Sequence, residues 1–232
     1  MTMEKQQRQR KVAGAAGAAP PEAEPAAKPT AKPTAKSTAR PTAKRTSTRK
    51  RAEPPAPRIL QLRITLLDIE PPIWRQILVP DDFTFEDLDV FVRGAIGWGW
   101  DHAHAFSVPR RGSRRTDAID EYAELRQVLC RARQKILYEY DFGDDWRHEI
   151  LVEKIVPFEA EAGYPVCLGG ARACPVEDCG GVYGYYRVLE ALSKPTAKNA
   201  EWREWIGKYD PEAFDAEAVN RLWAGWRKPQ RR

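Results

Sequence analysis

The first 57 residues contain no Ile, Leu, Phe, Trp or Tyr, and this absence decides most of what the chain can fold into. Such a segment cannot bury enough apolar surface to offset the entropy of ordering it, so 1–57 is expected to be a disordered N-terminal tail. All 8 Trp, 8 Tyr and 7 Phe fall after residue 57. The rest of the 232-residue chain is long enough for a substantial core, and 58–232 is the expected folded domain.

Charge divides at the same place. The tail holds 13 Lys+Arg against 4 Glu, a net +9, whereas the remainder holds 25 Lys+Arg against 29 Asp+Glu, a net −4. The overall +5 therefore describes neither part. Within the tail, AKPT at 27–30 and 31–34 is followed by near-copies AKST (35–38), ARPT (39–42) and AKRT (43–46). Proline fixes φ and removes a donor, so these repeats favour extended, solvated chain. Lys28, Lys32, Lys36, Arg40, Lys44, Arg45, Arg49, Lys50 and Arg51 are the candidate nucleic-acid contacts, by phosphate neutralisation. The plainer reading is a solubilising linker. No segment approaches the roughly 18 consecutive apolar residues of a membrane helix. The amino terminus lacks the Leu-rich stretch of a secretory signal, and four Cys do not make a disulfide scaffold in a chain this long. The expected location is cytoplasmic.

From residue 58 the hydrophobic period takes over. Leu60, Leu62, Ile64 and Leu66 alternate along a strand at 59–69, and 73–79 reads as its hairpin partner. Thr84 reads as an N-cap, with Glu86 and Asp87 in the first helical turn and Phe85, Leu88, Phe91, Val92, Ala95 and Ile96 as the apolar stripe up to Gly97. A strand is expected at 102–108, a polar insertion at 110–117 and a helix at 121–133. A hairpin of 138–142 and 146–152 turns at Gly143, Asp144 and Asp145. A loop at 157–181 and helices at 182–192, 199–207 and 215–226 complete the domain. Hairpins first and helices later make the fold α+β, an antiparallel sheet of hairpins packed with helices, the last ones C-terminal.

Six ordered motifs carry a resemblance. They are Ile73-Trp74-Arg75 after a Pro-Pro turn, Gly97-Trp98 at the helix end, HAHAF at 102–106, YEYDFGDDWRH at 138–148, CLGGARACPVEDCGG at 167–181 and YDPEAF at 209–214. Together they resemble the plasmid pRiA4b ORF-3-like family over about residues 58–226. The resemblance implies an α+β fold in bacterial or archaeal plasmid, transposon and chromosomal proteins. It also implies a mobile-element association, with a resolvase-like label but no defined reaction. Val176 stands where the family usually has a second Pro, and the tail lies outside the resemblance.

Several constellations carry chemistry. Cys167, Cys174 and Cys179 lie in one Gly-rich loop, and with His148 as fourth donor they are the candidate zinc ligands. The spacing lacks a paired C-x2-C knuckle, and buried thiols without metal are the competing reading. Cys179, just before a helix, is also a candidate nucleophile beside His148. Cys130 is expected to pack within a helix. Asp141, Asp144, Asp145 and His148 are candidate Mg²⁺ or Mn²⁺ ligands, or only turn formers. His102 and His104 share a strand face and can chelate a metal or pack at a core edge. Trp98, Trp100, Tyr138 and Tyr140 read as aromatic core before base-stacking surface. Trp202, Trp205, Trp223 and Trp226 read as sealing the core before offering a protein contact. The leading functional expectation is a non-catalytic binding or accessory module with a nucleic-acid-contacting tail. The alternative is a metal-dependent or Cys-dependent enzyme.

Overall fold

Alternating burial runs through four of the seven strands that a computed structural model describes, and all seven join into one antiparallel sheet. The described residues are 56–99, 102–110, 112–113 and 115–226. The nine candidate cations of the tail and Trp100 therefore lie outside them. Strands β1 (Arg58–Leu66), β2 (Trp74–Pro80), β3 (His104–Pro109), β4 (Thr116–Ala118), β5 (Lys135–Tyr140), β6 (Trp146–Pro157) and β7 (Val166–Ala171) lie in the order β4-β3-β5-β6-β1-β2-β7. Leu60, Leu62, Ile64 and Leu66 of β1 are fully buried, while Gln61, Arg63 and Thr65 on the other face are half-buried. A two-residue period thus gives the sheet one greasy face and one polar face. Opposite Gln61 and Leu62, β6 holds one extra residue, Glu153. Its carboxylate accepts from the side-chain amides of Gln61 (2.8 Å) and Gln76 (2.6 Å), which ties the bulge across two strands.

Helix α1 (Phe85–Ile96) covers the greasy face with the expected stripe. Thr84 and Asp87 form a reciprocal capping box, which stabilises the helix by about 1 kcal/mol. Gly97 closes it at φ 109°, a conformation that glycine adopts without a Cβ clash. Helices α3 (Gly181–Ser193), α4 (Ala200–Ile206) and α5 (Ala216–Trp223) follow the last strand. Trp223 and Trp226 meet Phe91 at ring distances of 5.4 and 4.8 Å, so α5 and its end seal α1.

Two expectations change. The helix expected at 121–133 is only the four-residue α2 (Leu125–Val128), and Cys130 lies beyond it, exposed. The apolar period there stops at Leu129, and Arg133 turns at φ 65° to enter β5. The loop expected at 157–181 contains β7, whose Gly169 and Gly170 carry no strand preference of their own. Pairing with β2 makes the strand, and Asn220 of α5 donates to and accepts from the backbone of Cys167 like one more rung (2.9 and 2.7 Å).

Candidate functional site

The loop after β7 is pinned from three sides. Tyr209 donates its hydroxyl to the Cys174 carbonyl (2.8 Å), and the Trp98 indole donates to that of Pro175 (3.0 Å). Glu177 accepts from the Gly99 amide (3.1 Å) and the Tyr140 hydroxyl (2.8 Å). Farther on, the Gly180 amide donates to Asp144 (3.0 Å). Gly181 sits so close to the β5–β6 turn that a Cβ there would lie 2.5 Å from the Asp144 carbonyl oxygen. These ties bring the loop against that turn and leave Asp178 projecting between them, with its side chain 74% exposed.

Asp178 there meets a histidine and a second carboxylate. His102 Nδ1 lies 3.4 Å from Asp141 Oδ2, and its Nε2 lies 3.5 Å from Asp178 Oδ1. One ligating atom from each of His102, Asp141 and Asp178 lies within 4.8 Å of the others. Asp141 is itself fixed, since its other oxygen accepts from the Gly143 amide (2.9 Å). One imidazole nitrogen and two carboxylate oxygens form a donor set of the kind that suits Mg²⁺, Mn²⁺ or Zn²⁺.

The other proposed ligands lie apart from this rim. Among the described residues, Cys167, Cys174, Cys179 and His148 do not gather into a group of three or more donors. Cys167 and Cys179 are buried with Sγ 3.8 Å from the carbonyls of Gly169 and Gly181. Cys174 packs beside Gly97, where a Cβ would meet its sulfur at 3.0 Å. Burial pushes the Cys174 thiol up to about 11 and the Cys179 thiol up to about 12, and it raises Cys167 too. All three are therefore protonated thiols at neutral pH, poor nucleophiles without a base. His148 is fully buried on the Trp146, Ile150 and Val152 face of β6. Its Nδ1 faces the Tyr138 carbonyl at 3.2 Å, so it is the donor and Nε2 carries the lone pair. That Nε2 is buried with no hydrogen-bond partner among the described residues. Desolvation lowers its pKa to about 4, so His148 is neutral.

The remaining candidates divide similarly. His104 meets a different carboxylate from those beside His102, with its Nδ1 3.4 Å from Asp89. The same Asp89 carboxylate accepts from Tyr138 (2.6 Å) and from the Arg93 guanidinium. Asp144 is spent on the Gly180 amide, and Asp145 lies 3.6 Å from Arg147. Trp98 stacks on Tyr140 (4.9 Å, 12°) and leans on Trp146 (5.6 Å), an aromatic core.

Beneath that core lies Arg75, only 1% exposed. It donates to the carbonyls of Ala95 (2.7 Å), Trp74 (2.8 Å) and Ala171 (2.9 Å), and Phe214 covers its guanidinium at 4.0 Å. Burial lowers its pKa to about 10, still charged at neutral pH, with carbonyls at the end of α1 supplying the compensating dipole. Arg75 joins α1, β2 and β7 as a structural cation. Reading the residues one motif at a time missed Asp178, because its partners His102 and Asp141 lie in two other motifs. The available signal was its place between Cys174 and Cys179.

The family model for plasmid pRiA4b ORF-3-like protein matches residues 58–218. The chain is 31% identical to an uncharacterised protein, y4hQ, of Sinorhizobium fredii, over 75% of this chain and 97% of that one. Among solved structures it is similar to the protein of unknown function MM3350 of Methanosarcina mazei Go1, with 32% identity and a TM-score of 0.64. That likeness covers 71% of this chain and 99% of the other. Among the described residues, no helix is long and apolar enough to cross a membrane.

Proposed function

The chain belongs to the plasmid pRiA4b ORF-3-like family, and from that premise we propose that it is a non-catalytic binding or accessory module in mobile-element biology, whose basic segment contacts nucleic acid. The observation that carries this reading is the partition of charge, +9 on residues 1–57 against −4 on the rest. A cationic segment on a mildly acidic body attracts phosphate through one part only. Contacts of this kind neutralise phosphates and release counterions without reading bases. The buried thiols of Cys174 and Cys179, raised by desolvation, speak against the cysteine-nucleophile form of the enzyme alternative.

The test is the salt dependence of duplex DNA binding by the whole chain. Replacing Lys28, Lys32, Lys36, Arg40, Lys44, Arg45, Arg49, Lys50 and Arg51 by Gln removes nine cations. If all of them touch phosphate, the slope of log affinity against log salt becomes shallower by about 8. An unchanged slope refutes the contact. A second reading, a divalent-metal centre that serves as a binding site or supports an enzyme, rests on the convergence of His102, Asp141 and Asp178. It stands beside the Cys loop as a place to look for metal.

A further inference from the structure

Two indoles meet at a right angle beside the rim. The Trp202 and Trp205 ring centroids are 5.6 Å apart and their planes cross at 85°. With Glu201 and Asp178 they line a cavity of about 290 Å³. Core packing accounts for Trp223 and Trp226, which close on Phe91, but Trp205 is 50% exposed. Arg187 stands over Trp202 at 4.6 Å, and Trp202 also lines a second cavity with Arg187, Lys194 and Lys198. The described lining of the first cavity is two carboxylates and two indoles, with no cation. Among the described residues Glu201 has no ion-pair partner, and Asp178 is paired with His102.

We propose that this corner binds an alkylammonium group. The face of an indole carries negative charge density and attracts a cation held over it. A planar guanidinium can stack on one of two perpendicular rings, whereas a tetrahedral ammonium touches both. Glu201 and Asp178 supply the opposite charge at the edge of the aromatic walls. The group can come from a free quaternary amine or from a lysine side chain in a peptide. The site stands on the geometry of α4 and Asp178, independently of the basic segment.

The experiment follows the indole N–H signals of Trp202 and Trp205 by NMR in the full chain. It is titrated with choline, with the uncharged tert-butyl isostere of choline, and with guanidinium. Choline is expected to move both signals, with the isostere and guanidinium each binding at least about fivefold more weakly. Trp205→Ala weakens choline binding roughly threefold to thirtyfold. Glu201→Gln weakens it in the same direction. Both side chains are exposed, so the far-ultraviolet circular dichroism of either variant stays that of the parent. A peptide carrying trimethyllysine is the second arm. Tighter binding of the peptide assigns the group to a lysine side chain, and tighter binding of choline assigns it to a free amine. The proposal is overturned if the neutral isostere binds as tightly as choline, or if neither indole signal moves at tens of millimolar.

Discussion

The inner polar layer around Arg75 and His148 and the outer rim of His102, Asp141 and Asp178 are built from similar titratable side chains, but solvent treats them oppositely. Arg75 and His148 are almost wholly inaccessible, and burial lowers the pKa of each. Arg75 is satisfied by backbone carbonyls and Phe214, whereas His148 donates from Nδ1 to the Tyr138 carbonyl and its Nε2 has no hydrogen-bond partner among the described residues. At the rim, the Asp178 side chain is 74% exposed and lies within reach of His102. The difference teaches that a His–Cys-rich motif offers a ligand set only where the fold makes its atoms converge.

The largest expected effect tests the inner layer. Arg75→Ala leaves the carbonyls of Ala95, Trp74 and Ala171 without their donor and opens a hole under Phe214. It should cost about 4 kcal/mol in urea unfolding, while Asp141→Asn at the rim stays within about 0.5 kcal/mol. Equal losses at the two positions would erase the contrast.

The next effect is a pH dependence. Folded His148 stays neutral down to about pH 4, whereas the unfolded chain takes up that proton near 6.5. Between those values the unfolded state binds more protons, so stability is full above 6.5 and falls with pH. The loss through this group is about 3 kcal/mol by pH 4. Urea titrations across this window check it, and His148→Gln should flatten the dependence relative to the parent.

At the rim, calorimetry with Mn²⁺ should give one site per chain, weakened about tenfold or more by Asp141→Asn with folding intact. Heat that disappears with Cys174→Ser instead would move the metal inward and invert the comparison. The smallest effect concerns thiols. Cys130 is exposed, whereas Cys167 and Cys179 are buried and Cys174 is half-buried with a raised pKa. Alkylation of the native chain should therefore show one fast thiol, removed by Cys130→Ser with a stability change within about 0.5 kcal/mol.

Much of this architecture was legible from spacing. The β1–β2 hairpin, the Thr84 cap, the Gly97 stop and the β5–β6 turn are local, and each rests on a period or a turn residue within a few positions. His148 shares a strand face with Trp146, Ile150 and Val152, and that face is buried. Strand β7 was not legible, because its glycines gain strand geometry only from β2 and Asn220. The shrunken α2 was not legible either, because its length is set by the chain's return into β5.

The sequence by itself determined where apolar burial is possible, the antiparallel hairpins of the body, the family, and the separation of a cationic segment from an acidic body. These depend on composition and short periods, which act along the chain. Tertiary structure alone decided which titratable groups meet. His102, Asp141 and Asp178 come from three separate motifs, and they converge because Glu177, Tyr140 and Trp98 fasten one loop against one turn. Pairwise distances across a fold have no counterpart in sequence spacing, and desolvation, which raises the pKa of the Cys167, Cys174 and Cys179 thiols, depends on everything packed around them.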